Sequence, residues 1–179
     1  QHTSSRNSEV IHSGIYHPIN TLKSQLCIRG NNLLYKFLKK YDIPYLDCGK
    51  LIVASNKDEE KILDKLFSDG INKKISGLEY ISSKKARLIE PNVKCNKAIW
   101  VPSSGIMDSH KVMRRLEYNF ISNNGLIVYN TLVNDIIYNK SYFNIITNTQ
   151  DNIETKILIN ATGLWSDKIS SMLGIDEYK

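Results

Sequence analysis

Apolar residues recur at helical spacing in several stretches of this chain and in short runs elsewhere. TLKSQLCIRGNNLLYKFLKKYDIP, residues 21 to 44, sets Leu22, Leu26, Leu33, Leu34, Phe37 and Leu38 against Lys23, Lys36, Lys39 and Lys40. That is the pattern of an amphipathic helix ending before Pro44. Gly30, inside it, marks a close-packing point, because a helical glycine costs about 1 kcal/mol relative to alanine. YLDCGKLIVA predicts a strand buried on both faces at Leu51–Ala54. SNKDEEKILDKLFSDG predicts a second helix, with Asn56 as N-cap, Glu59 three residues on, and Gly70 in the left-handed C-terminal position. A short strand (GLEYI), a short helix stopped by Pro91 and a strand with a turn (NKAIWVPSSGIMD) follow. Asp108 then caps a longer helix ending at Gly125. The last third differs: LIVYN, LVNDIIYN, YFNIITN and IETKILIN read as a β-meander, and ILINATGLWSDKI as a buried strand, a small-residue turn and a new helix. Mixed elements in this order indicate a layered α/β or α+β architecture.

Composition narrows the functional classes. The chain has 179 residues, 41% of them hydrophobic, which suffices for a core of ordinary domain size. Every apolar run is broken by Lys, Asn or Gly within a few residues, so none is long enough to span a bilayer. The net charge of +6 is spread over several helices with acidic residues interleaved, which argues for a solvated basic surface rather than nucleic-acid binding. Cys27, Cys48 and Cys95 are odd in number and lack C-x-x-C spacing, so neither a disulfide framework nor a metal site is expected, and a reducing, cytoplasmic setting follows.

Two stretches carry candidate chemistry. In INATGLWSDKI, residues 159 to 169, a strand feeds a helix through small residues, exposing backbone N–H groups that suit a phosphate or a planar cofactor. Strand–Gly–helix turns of this kind are also common without any ligand. The opening stretch, TSSRNSEVIHSGIYHP, is a dense polar loop with two of the four histidines.

These two stretches, with CGKLIVA and the PSSGIMD turn between them, resemble the D-amino-acid-oxidase-like superfamily of FAD-dependent oxidoreductases. The order and spacing along nearly the whole chain are most similar to the L-2-hydroxyglutarate dehydrogenase/oxidase family. The resemblance implies FAD as cofactor and a small 2-hydroxy acid as substrate, oxidised by hydride transfer to the flavin. It implies that Thr3, Ser4, Ser5, Asn7 and Ser8 lie along the pyrophosphate and ribityl side of FAD, and that His12, Ser13 and Gly14 face the flavin ring. Leu132 and Val133 would offer main-chain groups to adenine; Ala161, Gly163 and Trp165 would form the second phosphate and ring contact. His12 is the candidate general base, since imidazole titrates near neutrality. A histidine so placed could equally hydrogen-bond flavin or backbone, or carry a covalent link to the cofactor. Arg6 could pair with a substrate carboxylate or remain an exposed loop arginine.

The superfamily begins with a G-x-G-x-x-G strand–turn–helix unit. No two glycines here stand two apart. The expectation is therefore a fragment: an incomplete FAD/NAD(P)-binding Rossmann-like domain formed by residues 1–44 and 107–179, with an inserted α+β substrate domain on a mixed sheet at 45–106. Such a chain would be inactive alone, with a separate chain supplying the missing segment and at most peripheral association with the inner face of a membrane. A glycerol-3-phosphate dehydrogenase-like or amine-oxidising relative and a non-catalytic remnant are the alternatives.

Overall fold

The computed structural model describes residues 2–149 and 151–177. Two compact units are present, Gln1–Asn119 and Phe120–Lys179.

In the first unit, β1 (Val10–Ile11) and β2 (Tyr45–Leu46) both pair antiparallel with β6 (Gly105–Met107). A second sheet has β5 (Lys97–Val101) between β3 (Lys50–Ala54) and β4 (Glu79–Ser82), again antiparallel. The sheet expected to be mixed is thus antiparallel, with α2 (Lys57–Asn72) and α3 (Ser83–Ile89) in its connections. The expected single strand at 45–54 is two, because Gly49 takes a left-handed turn with its N–H bonded to the Ser104 carbonyl at 2.9 Å. Residues 50–53 are not doubly buried either; only Ala54 is fully enclosed.

The caps read from sequence at Asn56 and Asp108 are present. Asn56 Oδ1 accepts the N–H groups of Asp58 and Glu59, and Asp108 Oδ1 accepts that of Lys111 at the start of α4 (Ser109–Ser122). Gly70 does not end α2; it lies buried within it, where a Cβ would sit 2.5 Å from Leu78 Cδ2, and Lys74 takes the left-handed position instead. Likewise Asn124 rather than Gly125 is left-handed after α4, with the Gly125 N–H bonded back to the Phe120 carbonyl.

The long helix α1 (Leu22–Lys40) ends at Lys40, four residues before Pro44. Its fully buried positions are Ser24, Asn31 and Leu38, at seven-residue spacing; of the apolar stripe expected from sequence, Leu38 is buried with Leu34 and Phe37 packed around its cluster. Leu22, Leu26 and Leu33 are exposed, and a Cβ at Gly30 would meet nothing within 4 Å, so this glycine is not a packing point. The surface under the buried stripe includes loop backbone, and polar side chains are what can satisfy it.

Two apolar clusters hold the opening loop. Ile15 joins Ala54, Leu63, Ile75, Ile99 and Val101 between α2 and the β3–β5–β4 sheet. Ile11 joins Leu38 and Ile43, with Phe37, Met107 and Val112 around them. Each such isoleucine contributes about 2–3 kcal/mol by leaving water. Residues 12–14 are therefore strung between two separate anchors.

The second unit contains the expected meander: β7 (Val133–Tyr138), β8 (Phe143–Thr147) and β9 (Asn152–Thr155), antiparallel in that order. LIVYN is not a strand, and ILIN is neither a strand nor buried: Ile157 and Ile159 are 76% and 81% exposed. An extended segment becomes a strand only when a neighbour takes up its N–H and C=O groups, and among the described residues none pairs with 157–160.

Glu9 ties β1 to α4. Its backbone is left-handed (φ 58°), a conformation costing a non-glycine residue roughly 1 kcal/mol. Its Oε1 accepts the Ser109 N–H at 3.0 Å and the Ser109 hydroxyl at 2.7 Å, and its carbonyl accepts the Met107 N–H. Those two bonds from Ser109 hold the Glu9 carboxyl below its usual range. The folded state thus favours the carboxylate, a contribution present above the ordinary pKa and lost as pH falls through the lowered one. Wild type should have a higher melting temperature than Glu9→Gln at pH 7, with the gap closing towards pH 3; a gap that is constant with pH would count against this role.

Candidate functional site

The loop 12–17 is fastened from three sides. From α1, Asn31 Nδ2 donates to the carbonyls of His12 (3.1 Å) and Ser103 (2.8 Å), joining the loop to the β5–β6 turn. At the end of α2, Lys73 Nζ donates to the carbonyls of Ile15 (2.5 Å), His17 (2.9 Å) and Gly14 (3.3 Å). Ile15 itself fills the core. Gly14 is buried and left-handed (φ 85°), and a Cβ there would approach Ile28 Cγ1 to 2.9 Å, so both space and backbone require glycine. Burial holds the Lys73 ammonium below its ordinary pKa, although Asp69 and Cys27 pull the other way.

His12 is exposed and borders two concavities. One is an apolar groove of about 500 Å³ lined by Leu33, Phe37, Val112 and Leu116 among others. The other, about 260 Å³, is lined by His12, Ser13, Gly14, Tyr16, His17, Lys23 and Lys50. Partial burial, then the charges of Lys50 and His17, lower the His12 pKa, so its imidazole is neutral at pH 7 and able to accept a proton. Ser13 is 4% exposed, and its Oγ has no hydrogen-bond partner.

The remaining candidates fall into two groups. Thr3, Ser4 and Ser5 form a 3₁₀ turn on which Asn7 Nδ2 closes, donating to the carbonyls of Thr3 and Ser4; Ser8 follows, exposed. The structure therefore brings Thr3, Ser4, Ser5 and Asn7 into one polar turn, with His12, Ser13 and Gly14 together in the fastened loop that follows. Val133, Ala161, Gly163 and Trp165 lie in the second unit. Val133 opens β7 and is half-buried. Ala161 and Gly163 lie in a turn held by Asn160, whose Nδ2 donates to the Ser166 carbonyl at 2.8 Å and whose Oδ1 accepts the Thr162 hydroxyl. Trp165 is half-exposed, with Lys168 Nζ 4.2 Å above its ring. The helix expected after this turn, α5 (Ser166–Ser171), is only six residues long and has no side-chain cap.

The family model for FAD-dependent oxidoreductases (DAO) matches residues 1–178. The chain belongs to that family. It is 47% identical over 114 residues to the mitochondrial L-2-hydroxyglutarate dehydrogenase of Arabidopsis thaliana, a match covering 64% of this chain and 24% of that protein. It is 36% identical over 177 residues to the Caenorhabditis elegans enzyme of the same name, covering 97% of this chain and 41% of that one. In three dimensions it is similar to the L-α-glycerophosphate oxidase of Mycoplasma pneumoniae solved with FAD bound, with a TM-score of 0.86, 27% identity, and coverage of 96% of this chain and 47% of that chain. The chain thus spans between a quarter and a half of the length of these relatives, and its α/β fold is part of the family's domain.

Among the described residues, no helix is long and apolar enough to cross a membrane. Asn31, Glu9 and Lys73 were not candidates from sequence. Their partners lie far along the chain, up to 100 residues away, and no local pattern announces them.

Lys73→Met leaves three loop carbonyls short of a donor and should destabilise the first unit by about 2 kcal/mol. Lys73→Arg, which can still donate, should lose less. Urea denaturation monitored at Trp100 reads this; equal stability of wild type and Lys73→Met would remove the lysine from its anchoring role.

Proposed function

We propose that this chain is the part of an FAD-dependent oxidoreductase that presents a flavin-facing loop to a 2-hydroxy acid of the L-2-hydroxyglutarate type. The observation that carries the reading is His12, with its lowered pKa, at the edge of a loop fixed between two cores and bordering a cavity with two lysines. The relatives named L-2-hydroxyglutarate dehydrogenase supply the substrate class.

The residues fit an edge of the cofactor. Ser13 Oγ is buried without a partner, Gly14 lets the backbone approach closely, and the turn of Thr3, Ser4, Ser5, Asn7 and Ser8 offers hydroxyls and amides. In the second unit, Val133, Ala161, Gly163 and Trp165 are the corresponding contacts. FAD, when bound, supplies the acceptor for hydride from the carbon bearing the hydroxyl. His12 takes the hydroxyl proton on an imidazole nitrogen that is neutral at pH 7. Functionally, residues 1–44 and 107–179 serve the cofactor and 45–106 the substrate side. The three cysteines are all unpaired, which suits a reducing compartment such as the cytoplasm; the relatives above are named as mitochondrial proteins.

These 179 residues contain no G-x-G, and large apolar side chains such as Leu22, Leu33 and Leu116 stand exposed on α1 and α4. The chain alone therefore binds FAD weakly and is inactive without a segment bearing the G-x-G-x-x-G unit. A glycerol 3-phosphate substrate is the second reading, favoured by the likeness to the Mycoplasma pneumoniae oxidase.

Visible spectra with added FAD, followed by turnover assays, test this. The chain alone should retain no stoichiometric flavin, whereas the chain joined to the missing unit should retain it and oxidise L-2-hydroxyglutarate in preference to glycerol 3-phosphate. His12→Asn in the completed enzyme should keep the flavin and lose about 10²–10⁴-fold in kcat. Stoichiometric flavin on the isolated chain, or an unchanged kcat, would contradict the assignment.

A further inference from the structure

We propose that the cavity enclosed by residues 13–17, Lys23 and Lys50 is a carboxylate-binding site. Its lining holds two lysines and two histidines and no acidic side chain. Four other lysines of this unit have carboxylate partners: Lys61 with Asp58, Lys85 with Glu79, Lys97 with Asp64 and Lys111 with Asp108. Lys23 and Lys50 have no ion pair among the described residues; the ammonium of half-buried Lys50 lies 5.1 Å over the Tyr16 ring. Two uncompensated cations beside a partly enclosed space favour an anion there.

Two further observations point the same way. Ser13, one of the lining residues, keeps a buried Oγ without a hydrogen-bond partner. The carbonyls of Gly14, Ile15 and His17, which would repel an anion, are engaged by Lys73. The wall left to a ligand is thus rich in donors, ammonium and imidazole. A carboxylate can accept charge-assisted bonds from Lys50 and Lys23. At about 260 Å³ the space suits a small acid and is small for a dinucleotide.

The identity of the ligand rests on the hydroxy-acid reading; the anion site rests on the cavity. In that reading, the cavity takes a carboxylate of the hydroxy acid and holds its hydroxyl-bearing carbon close to His12.

Glutarate, a dicarboxylate without the reactive hydroxyl, is the probe, titrated into the full chain and followed by amide NMR shifts, with inorganic phosphate in parallel. Shifts should centre on Gly14, Tyr16 and Lys50. Lys50→Gln and Lys23→Met should each weaken glutarate binding roughly tenfold, while the exposed-helix control Lys65→Met leaves it unchanged. Thermal melts confirm that each variant is folded, so a lost affinity is not lost structure. Shifts centred elsewhere, or an affinity indifferent to both lysines, would overturn the proposal, and so would phosphate binding more tightly than glutarate at the same residues. Lysine-dependent glutarate binding in a chain whose completed enzyme ignores L-2-hydroxyglutarate would sink the functional reading and leave the site. Turnover of that acid without lysine-dependent binding would do the reverse.

Discussion

The structure of the first unit depends on how one short loop is held. Ile11 and Ile15, four residues apart, are buried in two different clusters, and the three residues between them cross from one to the other. Burying both isoleucines fixes the ends but leaves the loop's carbonyls to be satisfied, and an unsatisfied buried carbonyl costs about 1–3 kcal/mol, comparable to what a whole buried isoleucine gains. Asn31 and Lys73 supply those bonds, from α1 and from the end of α2. Helices that look on the page like independent amphipathic elements are in fact fitted to this backbone.

That requirement explains which part of the fold was legible in the sequence. Local signals were sound: the caps at Asn56 and Asp108 satisfy N–H groups two or three residues away, and the meander's alternation appears as β7, β8 and β9. Signals that depend on distant partners failed. The buried face of α1 runs through Asn31, which bonds loop backbone, so hydrophobic periodicity found its C-terminal half at Leu34, Phe37 and Leu38 and missed the polar half at Ser24 and Asn31. Gly70 looked like a helix terminator but is a packing position against Leu78. ILIN has the composition of a buried strand, yet a strand needs a paired neighbour, and composition does not carry that information.

The candidate site was partly legible for a related reason. Residue types in TSSRNSEVIHSGIYHP suggested cofactor contacts through resemblance, and Gly14 does hold a left-handed conformation that only glycine adopts freely there. What the sequence concealed was the electrostatic setting. Partial burial, and then the charge of Lys50, 38 positions away in the chain, lower the His12 imidazole pKa; Lys73 engages three of the loop's carbonyls. Together they make a loop that is pre-shaped and carries a neutral imidazole beside two lysines.

Whether the loop holds this shape before any cofactor arrives is the central question, and amide hydrogen exchange on the chain alone addresses it directly. If the anchoring is real, the amides of His17, Met107 and Ser109, bonded to the Gly14 carbonyl, the Glu9 carbonyl and the Glu9 carboxylate, should exchange within about tenfold of those in the central strand β5. Exchange as fast as in the exposed turn at residues 3–8 would show a loop that is not fastened, and would contradict the idea of a preformed site.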